Sequence, residues 1–295
     1  MLISSGLCAT ATSALRAGRL RDANRITRER LALLPSMDRD DPHCAPEICN
    51  AYGRACIYAI MAGDLPGGMA AARASMDDDL LSDTHITANR LIQPLALTGR
   101  FRDAIRYAER MWDQWERAGR PAPGWTLPGV CTTVLASGML GEPESVALWR
   151  SRAGEVAGGA SGPAVGPAAG GAAGTAAVVV FVDARLAVHD RRFDDAEALV
   201  RQCFAVDGPL DPYVAYARAA GAELAVAAGL PGAADLVASA APLAEENAWA
   251  AACLARARWR LHGDRAELAR AAEGWERLDA RAERDCTRAL AARPG

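Results

Sequence analysis

The feature that most constrains this chain is a six-residue phrase that keeps returning. It stands as Gly18-Arg19-Leu20-Arg21-Asp22-Ala23, as Gly99-Arg100-Phe101-Arg102-Asp103-Ala104, and as Arg191-Arg192-Phe193-Asp194-Asp195-Ala196, where Arg takes the Gly place. Weaker echoes begin at Gly63, Gly138, Gly229 and Gly263. Successive copies start 45, 36, 39, 53, 38 and 34 residues apart, the range of stacked two-helix repeats. A helix pair of that size buries its apolar stripe only by stacking on the next pair, so the expected class is all-α.

Each copy sits where one apolar-periodic segment ends and another begins. Gly supplies the left-handed backbone that closes the first helix. Ala23 or Ala104, five positions on, lets the next helix pack closely, while Leu20, Phe101 or Phe193 fills the crevice at the turn. The period after the corner is helical: Ala196, Leu199, Val200 and Cys203 fall at i, i+3, i+4 and i+7, as do Ala104, Tyr107, Ala108 and Met111.

The phrase resembles the inter-helix corner of a tetratricopeptide repeat, which reads small or Gly, polar, aromatic or Leu, acidic, acidic, Ala. Three copies match well and four loosely, and the Trp, Leu and Tyr positions of the consensus first helix are mostly missing. The resemblance implies a tetratricopeptide-like helix-turn-helix repeat solenoid of about seven helix pairs. Near the carboxyl end, the stretch Gly274-Trp275-Glu276-Arg277-Leu278-Asp279-Ala280-Arg281-Ala282-Glu283-Arg284-Asp285-Cys286-Thr287 is similar to the last repeat in the helical regions of LuxR-type, ATP-binding transcriptional regulators of high-GC bacteria. In that family such repeats follow a nucleotide-binding domain and precede a DNA-reading helix-turn-helix, and neither is visible in this sequence. The resemblance implies signalling or transcription control, with an ATPase or DNA-binding regulator encoded nearby as a partner.

Composition narrows the classes further. At 295 residues and 51% apolar the chain can bury a large core, and a repeat stack can run this long without dividing. Aromatics are only 5%, and abundant Ala favours helices with close backbones. All 33 basic residues are Arg, a skew that reads as a GC-rich genome. The net charge of −3, with both signs interleaved, disfavours direct nucleic-acid binding. No CxxC occurs among the eight cysteines, and the spacings of Cys44, Cys49 and Cys56 beside His43 match no zinc pattern, so buried reduced thiols and a cytoplasmic protein are expected. The amino terminus lacks the basic region and apolar run of a signal peptide, and the longest apolar run, Ala176 to Val182, is too short to cross a bilayer.

The pattern predicts about four helix pairs over 1–153, a Gly/Ala/Pro-rich flexible insertion over 154–175, and about three pairs over 176–295, in one interrupted stack. Helices are expected at 2–17 with 20–34, 46–61 with 66–80, a helix capped by Ser82 or Asp83 and ending at Thr98, then 101–118. Pro94 predicts a bend or a break in the helix that holds it. A loop at 119–128 leads to 128–137 and 142–153. Beyond the insertion come 176–189 with 193–205, 212–227 with 231–243, and 247–261 with 264–292. The first pair opens beside Met1 with no polar cap, so the chain is expected to be a piece of a longer regulator or to pack that pair on a partner.

Candidate chemistry is sparse. A Walker A loop needs a Lys, of which there is none, and no GxGxxG, GxSxG or HExxH occurs. Asp77-Asp78-Asp79 with Asp83 approaches the DDxxD of helical, magnesium-dependent diphosphate enzymes, but Ser82 stands where the last acid belongs and no second motif is present. Caps and turn residues account for these acids. Binding residues are sought instead on the concave wall formed by the first helix of each pair: Asn50, Arg54, Asn89, Arg90, Gln93 and Thr133, with Arg90 and Arg54 able to grip a partner's carboxylate. Trp112, Trp115 and Trp125 supply a second candidate, one of them facing a surface groove. The expected function is a non-enzymatic interaction or sensor module for a protein or peptide, without cofactor, metal, nucleic acid or membrane. The alternatives are an all-helical enzyme using the Asp77–Asp83 acids with magnesium, or the repeat region detached from a cyclase or kinase regulator.

Overall fold

A computed structural model describes residues 2–82, 84–121, 125–159, 176–208 and 210–292, and every regular element among them is helical. The first half runs α1 (Leu2–Arg16), α2 (Leu20–Leu31), α3 (Cys44–Ala62), α4 (Leu65–Met76), α5 (His85–Leu97), α6 (Phe101–Arg117), α7 (Leu127–Met139) and α8 (Pro143–Gly159). The second runs α9 (Ala176–Asp190), α10 (Ala196–Ala205), α11 (Val214–Ala227), α12 (Ala233–Glu246), α13 (Ala248–His262), α14 (Arg265–Arg277) and α15 (Arg281–Ala291). Residues 154–159, expected to open the insertion, continue α8; positions 160–175 lie outside the described residues.

Eight helix ends share one hydrogen-bond signature. The N–H of Arg19, Asp64, Arg100, Arg120, Glu142, Arg192, Leu230 or Ala280 donates to the carbonyl five residues back, at 2.8–3.0 Å. The residue before each donor is left-handed, with φ between 49° and 82°. Together these satisfy carbonyls that a helix end would otherwise orphan. Six of these ends use Gly there; the other two use Arg191, at φ 56°, and Asp279, at φ 49°. The corner after α7 falls at Gly141, not at the echo beginning with Gly138. Gly138 lies inside α7, where a Cβ would come within 2.4 Å of Leu186.

Local chemistry moves three other boundaries. Thr84, rather than Ser82, caps α5, its hydroxyl accepting from the Thr87 N–H at 3.3 Å; the other candidate, Asp83, lies outside the described residues. Pro94 neither splits α5 nor ends it: the helix runs on to Leu97, the Pro94 carbonyl accepts the Thr98 N–H at 3.0 Å, and the one bond a proline there removes is its own to the Arg90 carbonyl. The long helix expected over 264–292 is two helices. Asp279 at φ 49° breaks it, and the Ala280 N–H closes α14 on the Trp275 carbonyl at 2.9 Å.

The first helices α5, α7, α9, α11 and α13 pack on one another in succession, with α6, α8, α10, α12 and α14 against their outer sides. Their shared interior holds an aromatic cluster of Phe181, Tyr213, Tyr216, Trp249 and Trp275, with ring centroids 5.0–5.6 Å apart. Edge-to-face contacts of this kind add to the burial of the rings. The carboxyl-terminal helices return to the amino-terminal ones. Tyr213 donates to the Gln93 side chain at 2.9 Å, Tyr216 to the Ile60 carbonyl at 2.8 Å, and Asn247 to the Met61 carbonyl at 2.8 Å. The Arg281 N–H reaches the Thr98 carbonyl at 3.1 Å. The curve therefore closes on itself. The central cavity, beside Leu97, Phe181 and Trp249, is only about 10 Å³, room for about one water.

Asp211, in the turn before α11, accepts the Tyr213 N–H at 2.9 Å. Burial pushes its carboxyl up to about 6, against the backbone bonds it receives. A carboxyl raised on folding favours the folded state below its ordinary value near 3.9 and loses that contribution as pH rises through about 6. Asp211→Asn keeps the acceptor and removes the charge. It is expected to add about 1 kcal/mol at pH 7, after allowance for solvent screening, and nothing at pH 4. Melting curves at the two pH values check this.

Candidate functional site

A buried set of two carboxylates and two guanidiniums ties α9, α11, α13 and α15 together. Arg185 on α9 donates from one terminal nitrogen to Glu223 at 2.7 Å and from the other to both oxygens of Glu283 at 2.8 Å. Arg256 on α13 grips Glu223 through Nε at 2.6 Å and Nη2 at 2.8 Å, and reaches Glu283 at 2.8 Å and the Thr287 hydroxyl at 3.1 Å. Each guanidinium also lies over an indole, Arg185 over Trp249 at 5.8 Å and Arg256 over Trp275 at 5.2 Å. Planar forks on carboxylates and ring faces are what Arg does and Lys does not.

Electrostatics explain how so many charges stay inside. Burial alone would raise the Glu223 carboxyl, but Arg256 and Arg185 outweigh it and hold it well below the usual carboxylate range. Burial also opposes the charge on both arginines, and the two glutamates overcome it. Arg260, one turn beyond Arg256, is treated differently. Its Nε stands 3.7 Å from Glu223, too long for a hydrogen bond, and has no hydrogen-bond partner. Burial outweighs the pull of Glu223 and lowers its pKa.

Above this set the surface opens into a cleft of about 160 Å³. Arg185, Glu223 and Arg256 form its floor, His189, Arg191 and Arg260 its polar wall, and Met139, Val188 and Leu290 its apolar wall. It is built where the carboxyl ends of α7, α9 and α13 meet α15. The left-handed corner carries Arg191 to it.

The residues singled out from sequence are engaged elsewhere. Arg90 is buried and donates to the Cys49 carbonyl at 2.7 Å; Asn89 is buried and donates to the Trp125 carbonyl at 3.3 Å. Thr133 is buried with its hydroxyl on the Gly129 carbonyl, and Gln93 accepts from Tyr213. Arg54 donates to the Tyr58 hydroxyl at 3.1 Å, and Asn50 accepts from Arg30, which also bridges Ser4 and Glu47. Trp112 and Trp115 are both buried, 4.9 Å apart, so neither faces a surface groove. Trp125 is the exposed member of the three and stacks on His85 at 5.4 Å. Of the acidic run, Asp78 is buried against Arg39 at 2.6 Å and Asp77 ends α4. Among the described residues no group of three or more His, Cys, Asp or Glu is placed to hold a metal ion, and no helix is long and apolar enough to cross a membrane. Burial pushes the Cys56, Cys131 and Cys203 thiols up to about 12.

Arg185, Glu223, Arg256, Arg260 and Glu283 escaped the reading of the sequence. For four of them a signal was present: Arg185, Glu223, Arg256 and Arg260 are charges on Ala-rich helices, and Arg256 and Arg260 share a face at i and i+4, whereas Glu283 stands among Arg281, Arg284, Asp285 and Arg288 and is not marked out. No family model, curated protein or solved structure matches the chain.

Proposed function

We propose that this chain is a non-enzymatic, tetratricopeptide-like repeat module that binds a partner in bacterial signalling or transcription control. The observation that carries the reading is the recurring helix end, eight times with the same five-residue-back hydrogen bond, joined to first helices that pack in sequence from α5 to α13. Such stacks serve as binding scaffolds rather than as sites of bond-making. The closure of the curve moves the expected binding surface out of the centre, whose cavity holds about one water, and onto the rim.

The regulatory part of the reading is supported by the LuxR-type stretch. Its Trp275, Glu283 and Thr287 all belong to the buried set described above. The expected partner is an ATPase or DNA-binding regulator encoded nearby. Capture of partners from the native lysate on the folded chain, followed by mass spectrometry, tests this. Enrichment of such a regulator supports the reading. Its absence from protein shown to be helical by circular dichroism counts against it.

A further inference from the structure

We infer that the cleft between α9, α13 and α15 is a binding site for a compact anionic group, a carboxylate or phosphate, held by Arg260 and Arg191 above the Arg185–Glu223–Arg256 floor. The assignment rests on the reading of the chain as a binding module and on nothing about which partner it serves.

The charge balance comes first. Four guanidiniums, of Arg185, Arg191, Arg256 and Arg260, meet only two carboxylates, of Glu223 and Glu283, although the chain as a whole carries −3. The excess is local and faces an opening. A low-dielectric wall focuses such a field on whatever enters.

Both glutamates are engaged by other donors. Glu223 receives Arg185, both forks of Arg256 and the Cys253 thiol at 3.3 Å; Glu283 receives Arg185 and Arg256. Arg260 is held off at 3.7 Å from the Glu223 Oε1 that Arg256 Nε already occupies, and its Nε is left without a hydrogen-bond partner. A buried donor without an acceptor is costly, and an anion in the cleft supplies one.

Arg191 is the independent observation. At six of the eight helix ends that share the signature the left-handed residue is Gly, which bears no penalty there; Arg191 takes the same conformation with a long side chain, and Asp279 with a short one. Arg191 lines the cleft. A strained residue that persists where Gly would serve points to a role for what it carries. The apolar lining of Met139, Val188 and Leu290 suits an apolar body attached to the anionic head. With about 160 Å³ available, the group is small: a short organic acid, a phosphomonoester or one acidic side chain.

Calorimetric titration at constant ionic strength tests the site with inorganic phosphate, butyrate and a blocked phosphoserine. Saturable binding of at least one probe is expected, weakened about tenfold or more in Arg260→Gln, the size of one charge-assisted hydrogen bond. Arg191→Gly separates binding from folding. It should weaken the same probe while melting at or above the wild-type temperature, because Gly relieves the corner. Phosphate or butyrate binding as tightly as blocked phosphoserine assigns a free anion; a preference for blocked phosphoserine assigns a modified side chain. No saturable binding, or wild-type affinity in Arg260→Gln, overturns the inference. Regulator capture that persists without anion binding would leave the module reading standing, and loss of both would remove it too.

Discussion

Glu223→Ala is expected to cost about 3–5 kcal/mol at pH 7, a large share of the 5–15 kcal/mol typical of a folded domain. The loss does not measure what the ion pairs contribute. It measures what remains: Arg185 and Arg256 are both buried, and without Glu223 they face each other across Glu283 alone. Breaking one member of such a set leaves charge without compensation, whereas replacing Arg185, Glu223, Arg256 and Glu283 together by apolar residues of similar volume should recover most of the stability. The dependence on pH follows from the depressed Glu223 carboxyl. Its contribution is fully present above the ordinary value near 4.3 and is lost as pH falls through the lower folded value, since the unfolded chain takes up the proton first. The variant's deficit should therefore be largest at pH 7 and shrink below pH 4. Urea unfolding across that range reads both effects; a deficit under about 1 kcal/mol at pH 7 would falsify the account.

What could be read from the sequence and what could not divides by range. A Gly that ends a helix acts on its own backbone, so Gly18, Gly63, Gly99, Gly229 and Gly263 mark helix ends in the sequence as they do in space. Where two glycines compete, local reading fails: Gly138 and Gly141 are equally good punctuation, and only the packing of Leu186 against Gly138 distinguishes them. Asp279 is harder still, since a left-handed Asp leaves no mark in a helical pattern. The site depended on pairings across 27 to 98 residues, and an isolated Arg on an apolar stripe does not name its carboxylate. Arg90 and Asn89 looked like a binding wall for the complementary reason. Polar residues on the inner helices are groove residues if the curve is open and buried hydrogen-bonding partners if it closes. Closure is set by Tyr213, Tyr216 and Asn247, more than a hundred positions away.

Closure makes the corners unequal, and Gly63→Ala should expose the difference. Gly63 and Gly18 have nearly the same backbone, φ 69° and 74°. Ala at Gly18 meets nothing within 4 Å, so its cost should be the left-handed penalty alone, about 1–2 kcal/mol. At Gly63 the added Cβ would stand 2.6 Å from the backbone nitrogens of Ala248 and Trp249, and 2.9 Å from the Asn247 side chain that caps α13 and binds the Met61 carbonyl. Backbone cannot swing aside as a side chain can. Relief requires the amino end of α13 to lift from the carboxyl end of α3, which disturbs the Asn247 bond and the seat of Trp249 in the aromatic cluster. The expected cost is at least about 3 kcal/mol, the sum of the left-handed penalty and overpacking against a fixed neighbour. The same displacement should raise the hydrogen exchange of α13 amides in Gly63→Ala and leave it unchanged in Gly18→Ala. Equal destabilisation of the two variants, with α13 still protected in both, would mean that the carboxyl-terminal helices do not rest on the α3 corner and that the curve is open in solution.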